Sequence, residues 1–396
     1  MGSLSAQRLT MLVFFLQPIA FGSWLPRIPD VQQALGLGPA ALAFTLLGLP
    51  CGTLLTLPFA GPLVGRIGPR AAILCGFFFY AIAVSLPAFA PDPALLFMAL
   101  MLAGSSISFL ELGLNVQADA VEKSTGSLIM TKSHGFWSVG IMVGSLIGSA
   151  LAAIGLAPHW AILLAAAINL PLGVIVALRL PVVAPEARAK TEGQRSAWAA
   201  PSWALLGICF FVFGITMTEG AMADWSAVFL REALDADGGL AGLGYSVFAF
   251  MVATGRFGGD TLKARFGAVN TARICGTLAL AGAAILFIAP NTLVALIGFA
   301  TIGLGVSVGF PLAVTAAASL TDQPSSSNVA VLSFVALCGF LIGPPVIGFI
   351  AEHANMRLGL LALVPVLLVS LLLTGRLVVS KHAADRNPEA EIPGVL

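Results

Sequence analysis

The stretch LLTLPFAGPLVGRIGPRAAILCGFFFYAIAVSL, residues 54–86, holds two apolar runs separated by a short loop rich in glycine, proline and arginine. Apolar runs of this kind recur along the whole chain. Each is about 20 residues long, which is enough for a helix to cross the ~30 Å hydrocarbon core of a bilayer. The repetition predicts an all-α membrane protein.

The composition supports this prediction. Of the 396 residues, 58% are hydrophobic and 9% are charged, whereas a soluble domain has about 25% charged residues. The net charge of +1 argues against a nucleic-acid partner. The five cysteines stand singly within apolar runs, without a CxxC pair, so they provide no disulfide framework.

Twelve membrane spans are predicted. Their approximate ranges are 9–26, 40–63, 71–90, 94–118, 134–156, 160–179, 203–223, 241–259, 271–289, 292–319, 328–350 and 358–379. The first run lacks a convincing cleavage site and is interpreted as a retained span. The polar segment 181–202 predicts a linker outside the membrane, between a six-helix bundle at 1–180 and a second bundle at 203–380, with a tail at 381–396.

The distribution of lysine and arginine predicts the orientation. If the N-terminus is cytoplasmic, 16 of these residues fall on the inner side and three on the outer side, which is a strong positive-inside bias. The outer three are Arg27, Arg231 and Arg357. The inner ones are Arg8, Arg66, Arg70, Lys123, Lys132, Arg179, Arg188, Lys190, Arg195, Arg256, Lys263, Arg265, Arg273, Arg376, Lys381 and Arg386. Both termini and the linker are therefore expected in the cytoplasm.

The two halves of the chain resemble each other. FFL at 14–16 is echoed by FFV at 210–212, and Trp24 is echoed by Trp225. QAL at 33–35 and Gly68 match EAL at 232–234 and Gly267, and these two pairs have the same separation in sequence. Parallel repeats of this kind place a transporter's substrate near the membrane midplane, between the halves.

These features resemble the major facilitator superfamily over essentially the whole chain. The loop GPLVGRIGPR, 61–70, is similar to that superfamily's signature Gly-x-Leu-x-Asp-Arg-x-Gly-Arg-Arg, with glycine at the aspartate position. The matching residues are Gly61, Leu63, Arg66, Gly68 and Arg70, and Gly65 is the departure. The resemblance implies a fold of twelve transmembrane helices in two six-helix bundles.

The corresponding loop of the second half, GRFGGDTLKARFG at 255–267, keeps Asp260, Arg265 and Gly267. In the family such an aspartate contacts the cytoplasmic start of a helix in the opposite half and helps to hold the outward-open state. The resemblance therefore implies that Asp260 contacts span 5 around Ser133 and His134, where a carboxylate would satisfy free N–H groups. Gating roles are accordingly expected for Arg66, Arg70, Asp260 and Arg265. His134 lies at the water boundary and is also expected to act in helix entry or gating, with proton relay as the alternative.

Two glycine-rich stretches predict close helix packing. GFLIGPPVIG at 339–348 in span 11 combines glycines with Pro344 and Pro345, which bend the backbone. GIMVGSLIG at 140–148 in span 5 lacks a proline. Antiporters of the family usually carry a proline in this part of span 5, so its absence favours symport.

Within the superfamily, ELGLN at 111–115, followed by KSHGFWSVGIMVGSLIG at 132–148, resembles the fucose:proton symporter group. Glu111 and Asn115 match that group's Glu-x-x-x-Asn pair in span 4. The group also has an acid in span 1, whereas FFLQPIAFGSWLPRIPD at 14–30 has none before Asp30.

Glu111 is the strongest candidate for proton coupling. A charged group at mid-bilayer costs about 3 kcal/mol or more, and intramembrane acids are functional by default. Burial favours the protonated carboxyl, so a glutamate in a cavity can alternate between its two forms. Asn115, four residues on, shares its helix face and is a candidate for binding substrate. A permanently protonated, purely structural Glu111 is the alternative.

Glu219 in span 7 is the second proton-coupling candidate, on the outer side of the midplane. Asp224 is about 140° further around an ideal helix, so both acids can face a cavity only if the helix breaks, for which Gly220 is a plausible place. Asp224 is expected to pair with Arg27 or Arg231, or to help close the outer side.

Uncharged candidates complete the predicted site. Gln17 and Trp137 are expected to bind substrate, although the tryptophan can also be interpreted as a membrane-interface residue. Asn169 is expected to satisfy backbone that Pro171 leaves without a partner. Trp24 and Trp225 are interpreted mainly as interface residues.

The sequence predicts neither an enzyme nor a cofactor. The glycine-rich loops lack the GxxxxGK[ST] pattern of ATP-driven proteins, and the four histidines stand far apart, which argues against a metal site. The expected function is proton-coupled symport of a sugar-like polar solute by a monomer in a cell inner membrane, with the solute, protons and lipid as partners. Proton-antiport efflux of amphipathic compounds and a non-transporting membrane receptor are the alternatives.

Overall fold

The computed structural model describes residues 5–182 and 201–378, and the regular structure there is helical. Most of the predicted linker, 183–200, and the tail lie outside these ranges. Within these two ranges, eleven helices are long and apolar enough to cross a membrane. They are Ala6–Ala34, Pro39–Ile67, Pro69–Phe89, Pro93–Thr125, Lys132–Ala153, Pro158–Ala177, Trp203–Leu234, Gly238–Ile288, Thr292–Ser319, Ser327–His353 and Met356–Leu377.

The helix Gly238–Ile288 supplies two spans. It has 51 residues and would be about 76 Å long if straight, well over twice the hydrocarbon thickness. Gly267 interrupts it with φ 77° and ψ 164°, and Gly68 adopts nearly the same conformation (φ 81°, ψ 153°) between the second and third helices. A positive φ of this kind favours glycine, which has no Cβ. Counting this corner, the described residues form twelve spans, numbered below in chain order with spans 8 and 9 on either side of Gly267.

Because the number of crossings is even, span 1 begins and span 12 ends on the same side of the molecule. This side is called here the termini face. The opposite side is called the far face. Several helices extend beyond their apolar run: span 4 continues to Thr125 and span 7 to Leu234. The apolar pattern stops at the first charged residues, whereas the backbone hydrogen bonds continue through them.

Span 1 is broken near its middle. Pro18 has no N–H to donate, and the α-helix stops at Leu16 and resumes at Ile19. Two neighbouring spans satisfy the freed backbone: the N–H of Phe21 donates to the Tyr80 hydroxyl at 2.7 Å, and Asn169 Nδ2 donates to the Leu16 carbonyl at 2.7 Å. The expectation that Asn169 serves the backbone near Pro171 is therefore wrong, because its partner lies in span 1.

The glycines of GIMVGSLIG form a seam between spans 1 and 5. A Cβ on Gly140 would lie 2.0 Å from the carbonyl oxygen of Phe15, and one on Gly144 would lie 2.1 Å from that of Ile19. Spans 2 and 4 meet in the same way, since a Cβ on Gly104 would lie 1.9 Å from the Leu49 carbonyl oxygen. These contacts bring the helices that carry Gln17, Trp137 and Glu111 around a common centre.

Candidate functional site

A cavity of about 270 Å³ lies between the first six spans and the last six. Spans 1, 2, 4 and 5 form one wall, and spans 7, 8 and 11 form the other. The residues of its lining that carry a polar group are Gln17, Trp24, Thr53, Glu111, Trp137, Ser138, Glu219, Asp224, Tyr245 and Arg256. The predicted candidates Gln17, Trp137, Glu111 and Glu219 therefore converge on one space.

Glu111 lies near the middle of span 4, and its partly buried side chain lines the cavity. It has no hydrogen-bond or ion-pair partner within residues 5–182 and 201–378. Asn115, one turn closer to the termini face, does not line the cavity, and its Oδ1 is buried without a partner among the described residues. The predicted Glu–Asn pair is thus divided: the carboxyl is open to the cavity and the amide is not.

Arg256 also lines the cavity, although the sequence did not mark it as a site residue. Its guanidinium pairs with Glu219 at 3.1 Å and donates to the Ser138 hydroxyl at 2.8 Å, so it connects spans 7 and 8 with span 5 of the opposite half. Its place in GRFGGD suggested one more cation at the inner surface. However, Arg256 lies about 16 Å along the helix from the Gly267 corner. This position is inside the membrane span, as the predicted range 241–259 also implied.

Glu219 and Asp224 both line the cavity. The expectation that they do so only if the helix breaks is wrong, because span 7 is continuous from Trp203 to Leu234 and the cavity extends around a wide arc of it. The extra length of span 7 also places Glu219 near the middle of the helix rather than near its outer end. Asp224 does not pair with Arg27 or Arg231, which both bind another acid.

That acid is Asp30, the centre of a polar cluster at the far face. Arg231 of span 7 pairs with Asp30 of span 1 at 2.5 Å, and Arg27 Nε lies 2.8 Å from the same carboxylate. Beside them, Gln32 Nε2 donates to Glu232 at 2.7 Å. These contacts hold the two halves together at the far end of spans 1 and 7.

A third contact between the halves lies nearby. Glu352 of span 11 accepts a hydrogen bond at 3.2 Å from the N–H of Ala40, in the first turn of span 2. A carboxylate is stabilised there by the free N–H groups and the positive end of the helix dipole. The three pairs Asp30–Arg231, Gln32–Glu232 and Ala40–Glu352 are called the far-face bridge below.

The termini face lacks such a bridge in the described parts of the chain. Asp260 is exposed and has no partner there, so the expected contact with Ser133 or His134 is not formed in this structure. Arg70 donates to the Leu178 carbonyl of its own half. His134 packs edge-on against Phe14, also in its own half, with ring centroids 5.3 Å apart.

The remaining gating candidates, Arg66 and Arg265, make no hydrogen bond or ion pair within the described ranges. Arg265 lies over the ring of its neighbour Phe266, 5.3 Å from the centroid. Among the hydrogen bonds and ion pairs described above for residues 5–182 and 201–378, those that join the two halves at an end of the molecule lie at the far face.

Removing Arg231 is expected to loosen the far face. In the Arg231→Gln variant Asp30 loses its partner from the opposite half, so conformations open at that face gain population. Spin labels at the exposed positions Gln33 and Leu240, introduced without the native cysteines, report the separation there. We expect a new, longer distance component, whereas Arg357→Gln, at the same face but outside the far-face bridge, leaves the distribution unchanged. An unaltered distribution in Arg231→Gln would show that this ion pair does not hold the face closed.

Gln17 and Trp137 contact each other directly. The indole N–H of Trp137 donates to Gln17 Oε1 at 2.7 Å, which joins span 5 to the break in span 1. Trp24 also lines the cavity, whereas Trp225 is fully buried. Neither Trp24 nor Trp225 is an interface residue here, because neighbouring helices cover them both.

Residues 10–335 match the family model described as Major Facilitator Superfamily. An uncharacterized MFS-type transporter of Yersinia pestis is 31% identical over 89% of this chain and 91% of its own length. Membrane protein MosC of Rhizobium meliloti is 29% identical over 89% of this chain and 85% of its own length.

Solved structures share the fold at low sequence identity. The nucleoside transporter NupG has a TM-score of 0.74 and 14% identity, covering 94% of this chain and 99% of that one. A bacterial homologue of the human lysosomal transporter Spinster, in an inward-facing and occupied conformation, has a TM-score of 0.69 and 16% identity, covering 94% of this chain and 96% of that one.

Proposed function

Because the chain belongs to the Major Facilitator Superfamily of multi-pass membrane transporters, we propose that it moves a small, sugar-like polar solute by proton-coupled symport. The observation that carries the proposal is Glu111: a carboxyl without a protein partner in the described ranges lines a cavity between the two halves. An acid that reaches this space can exchange a proton with it and remain next to a bound solute.

The proposed mechanism is alternating access between two bundles, 1–180 and 203–380. With both termini in the cytoplasm of an inner membrane, as the positive-inside bias indicates, the far face is external and the far-face bridge closes it. Asp260 would reach the start of span 5 only after the bundles rock, when the cytoplasmic side closes and the far-face bridge breaks. One chain suffices for this cycle.

The polar lining favours a hydroxylated solute. Glu111 and Asp224 offer acceptors without protein partners in the described ranges, and Tyr245 and Gln17 add further hydrogen-bonding groups. NupG is named as a nucleoside transporter, and a nucleoside also contains a sugar, but the identity of 14% carries only the fold to this chain.

Efflux of amphipathic compounds by proton antiport is the second candidate. It is favoured by the aromatic part of the lining, which contains Phe21, Trp24, Phe248 and Phe340. Such side chains bury large apolar areas and suit a ligand with an apolar body.

The direction of proton-driven flux separates these candidates. Proteoliposomes containing the purified chain receive a pH gradient, alkaline inside, in the presence of labelled hexoses or an amphipathic dye. Symport predicts accumulation of a hexose above its external concentration, abolished by a protonophore. Antiport predicts that a gradient of the opposite sign drives dye accumulation. Binding without flux of either compound would point to the receptor alternative.

A further inference from the structure

The contact between Trp137 and Gln17 fixes the orientation of the glutamine amide. An indole nitrogen only donates hydrogen bonds, so the atom that faces it at 2.7 Å is the amide oxygen. The amide nitrogen must then point away from Trp137. The oxygen and nitrogen of a glutamine amide can often be exchanged without a change in the fit. Here the indole, which only donates, distinguishes the two atoms.

The amide nitrogen of Gln17 is open to the cavity. It donates to no group in the described part of the chain, and it is not completely buried. Gln17 as a whole is only 1% exposed, and the open space that it borders is the cavity. Its two N–H donors are thus held at the cavity wall without an acceptor from residues 5–182 or 201–378.

We propose that Trp137 is a positioning residue that locks Gln17 as a hydrogen-bond donor, so that this wall selects solutes with an acceptor oxygen. This inference deepens the proposed function and rests on it. Glu111 and Asp224 provide acceptors elsewhere on the wall. A solute that satisfies all three must carry donors and an acceptor, as a hydroxyl-rich compound does, whereas an amphipathic compound without a suitably placed oxygen leaves the Gln17 donors unpaired.

Deoxy analogues test the inference with the purified full-length chain in detergent. Binding is measured for D-glucose, D-galactose, L-fucose and D-mannitol, and then for the monodeoxy analogues of those that bind. Loss of the hydroxyl that faces Gln17 should weaken binding to the wild type by about 3- to 10-fold. In Gln17→Met, which has a similar shape and no amide, the parent and that analogue should bind equally. This comparison is a double-mutant cycle in which one change is made in the solute.

The positioning role of Trp137 is tested by the same comparison between the parent solute and its deoxy analogue. Trp137→Phe frees the amide to rotate, so the difference between the parent and the analogue should shrink. Trp24→Phe removes another indole from the cavity lining and should keep the full difference, whatever its effect on overall affinity. A difference that persists in Gln17→Met or in Trp137→Phe would overturn the inference and leave the proposed function standing.

Two further results separate a failure of the proposed function from a failure of the positioning role of Trp137. If no hydroxylated probe binds the wild type, the proposed sugar-like solute fails, and this inference fails with it. Without any ligand, the NMR signal of the Trp137 indole N–H should shift upfield in Gln17→Met, because its acceptor is gone. An unshifted signal would overturn the positioning role even if the probes bind.

Discussion

Glutamine in place of Glu111 is expected to reduce pH-driven accumulation of the solute to the level of protein-free liposomes. The amide keeps the size and much of the polarity of the protonated carboxyl but cannot release a proton. A transporter whose coupling acid is permanently neutral can still exchange solute for solute across the membrane. The measurement therefore compares pH-driven uptake with solute counterflow in the same proteoliposomes, and we expect Glu111→Gln to lose the first and keep the second.

The matched control for this prediction is Asp119→Asn, in the same helix. Asp119 forms an exposed pair with Lys123 at 2.5 Å and does not line the cavity. Its replacement should leave both measurements close to those of the wild type, since exposed pairs contribute at most about 1 kcal/mol. If Glu111→Gln accumulates as much solute as the wild type, Glu111 has no part in proton coupling. Glu219 is then the next candidate.

Alanine in place of Gly144 is expected to lower the free energy of unfolding. Its Cβ would lie 2.1 Å from the Ile19 carbonyl oxygen and 3.0 Å from the Gly22 Cα. Both neighbours are backbone, so no side chain can turn aside, and spans 1 and 5 would have to separate by about 1 Å. Overpacking of this kind costs about 1–3 kcal/mol or more, which should appear as unfolding at a lower SDS fraction in mixed micelles.

Gly61→Ala is the control for this prediction. Gly61 is also a helical glycine in a membrane span, but a Cβ there would meet nothing within 4 Å. Alanine favours a helix over glycine by about 1 kcal/mol, so this variant should be as stable as the wild type or slightly more stable. If the two variants are equally stable, spans 1 and 5 can move apart at little cost in free energy.

The fold was largely predictable because hydropathy and glycine placement act locally. Apolar runs of bilayer length give the twelve spans, and the equivalence of Gly68 and Gly267 in sequence is matched by nearly identical backbone angles. The helix bounds were less accurate where charged residues such as Arg231 lie inside a helix that extends past the apolar run.

The site was only partly predictable because it depends on contacts between distant spans. Glu111 stands out in the sequence because an isolated acid in an apolar helix is costly. Arg256 does not stand out, since its neighbours form a loop-like pattern and only the fold brings it to Glu219. The position of Asp224 depends on how far the cavity extends around span 7, and a helical wheel contains no information about cavity width.

The far-face bridge also sets a population ratio. Its one ion pair and two hydrogen bonds each contribute about 0.5–1 kcal/mol, which gives roughly 1.5–3 kcal/mol together. Taken alone, this free energy places the conformer open at the far face at roughly one to seven molecules in a hundred, which is typical of a minor state in a two-state protein. The apparent affinity for a solute that arrives from that side is then the intrinsic affinity multiplied by this small fraction. Weakening any one of the three contacts should therefore raise the apparent affinity from that side alone.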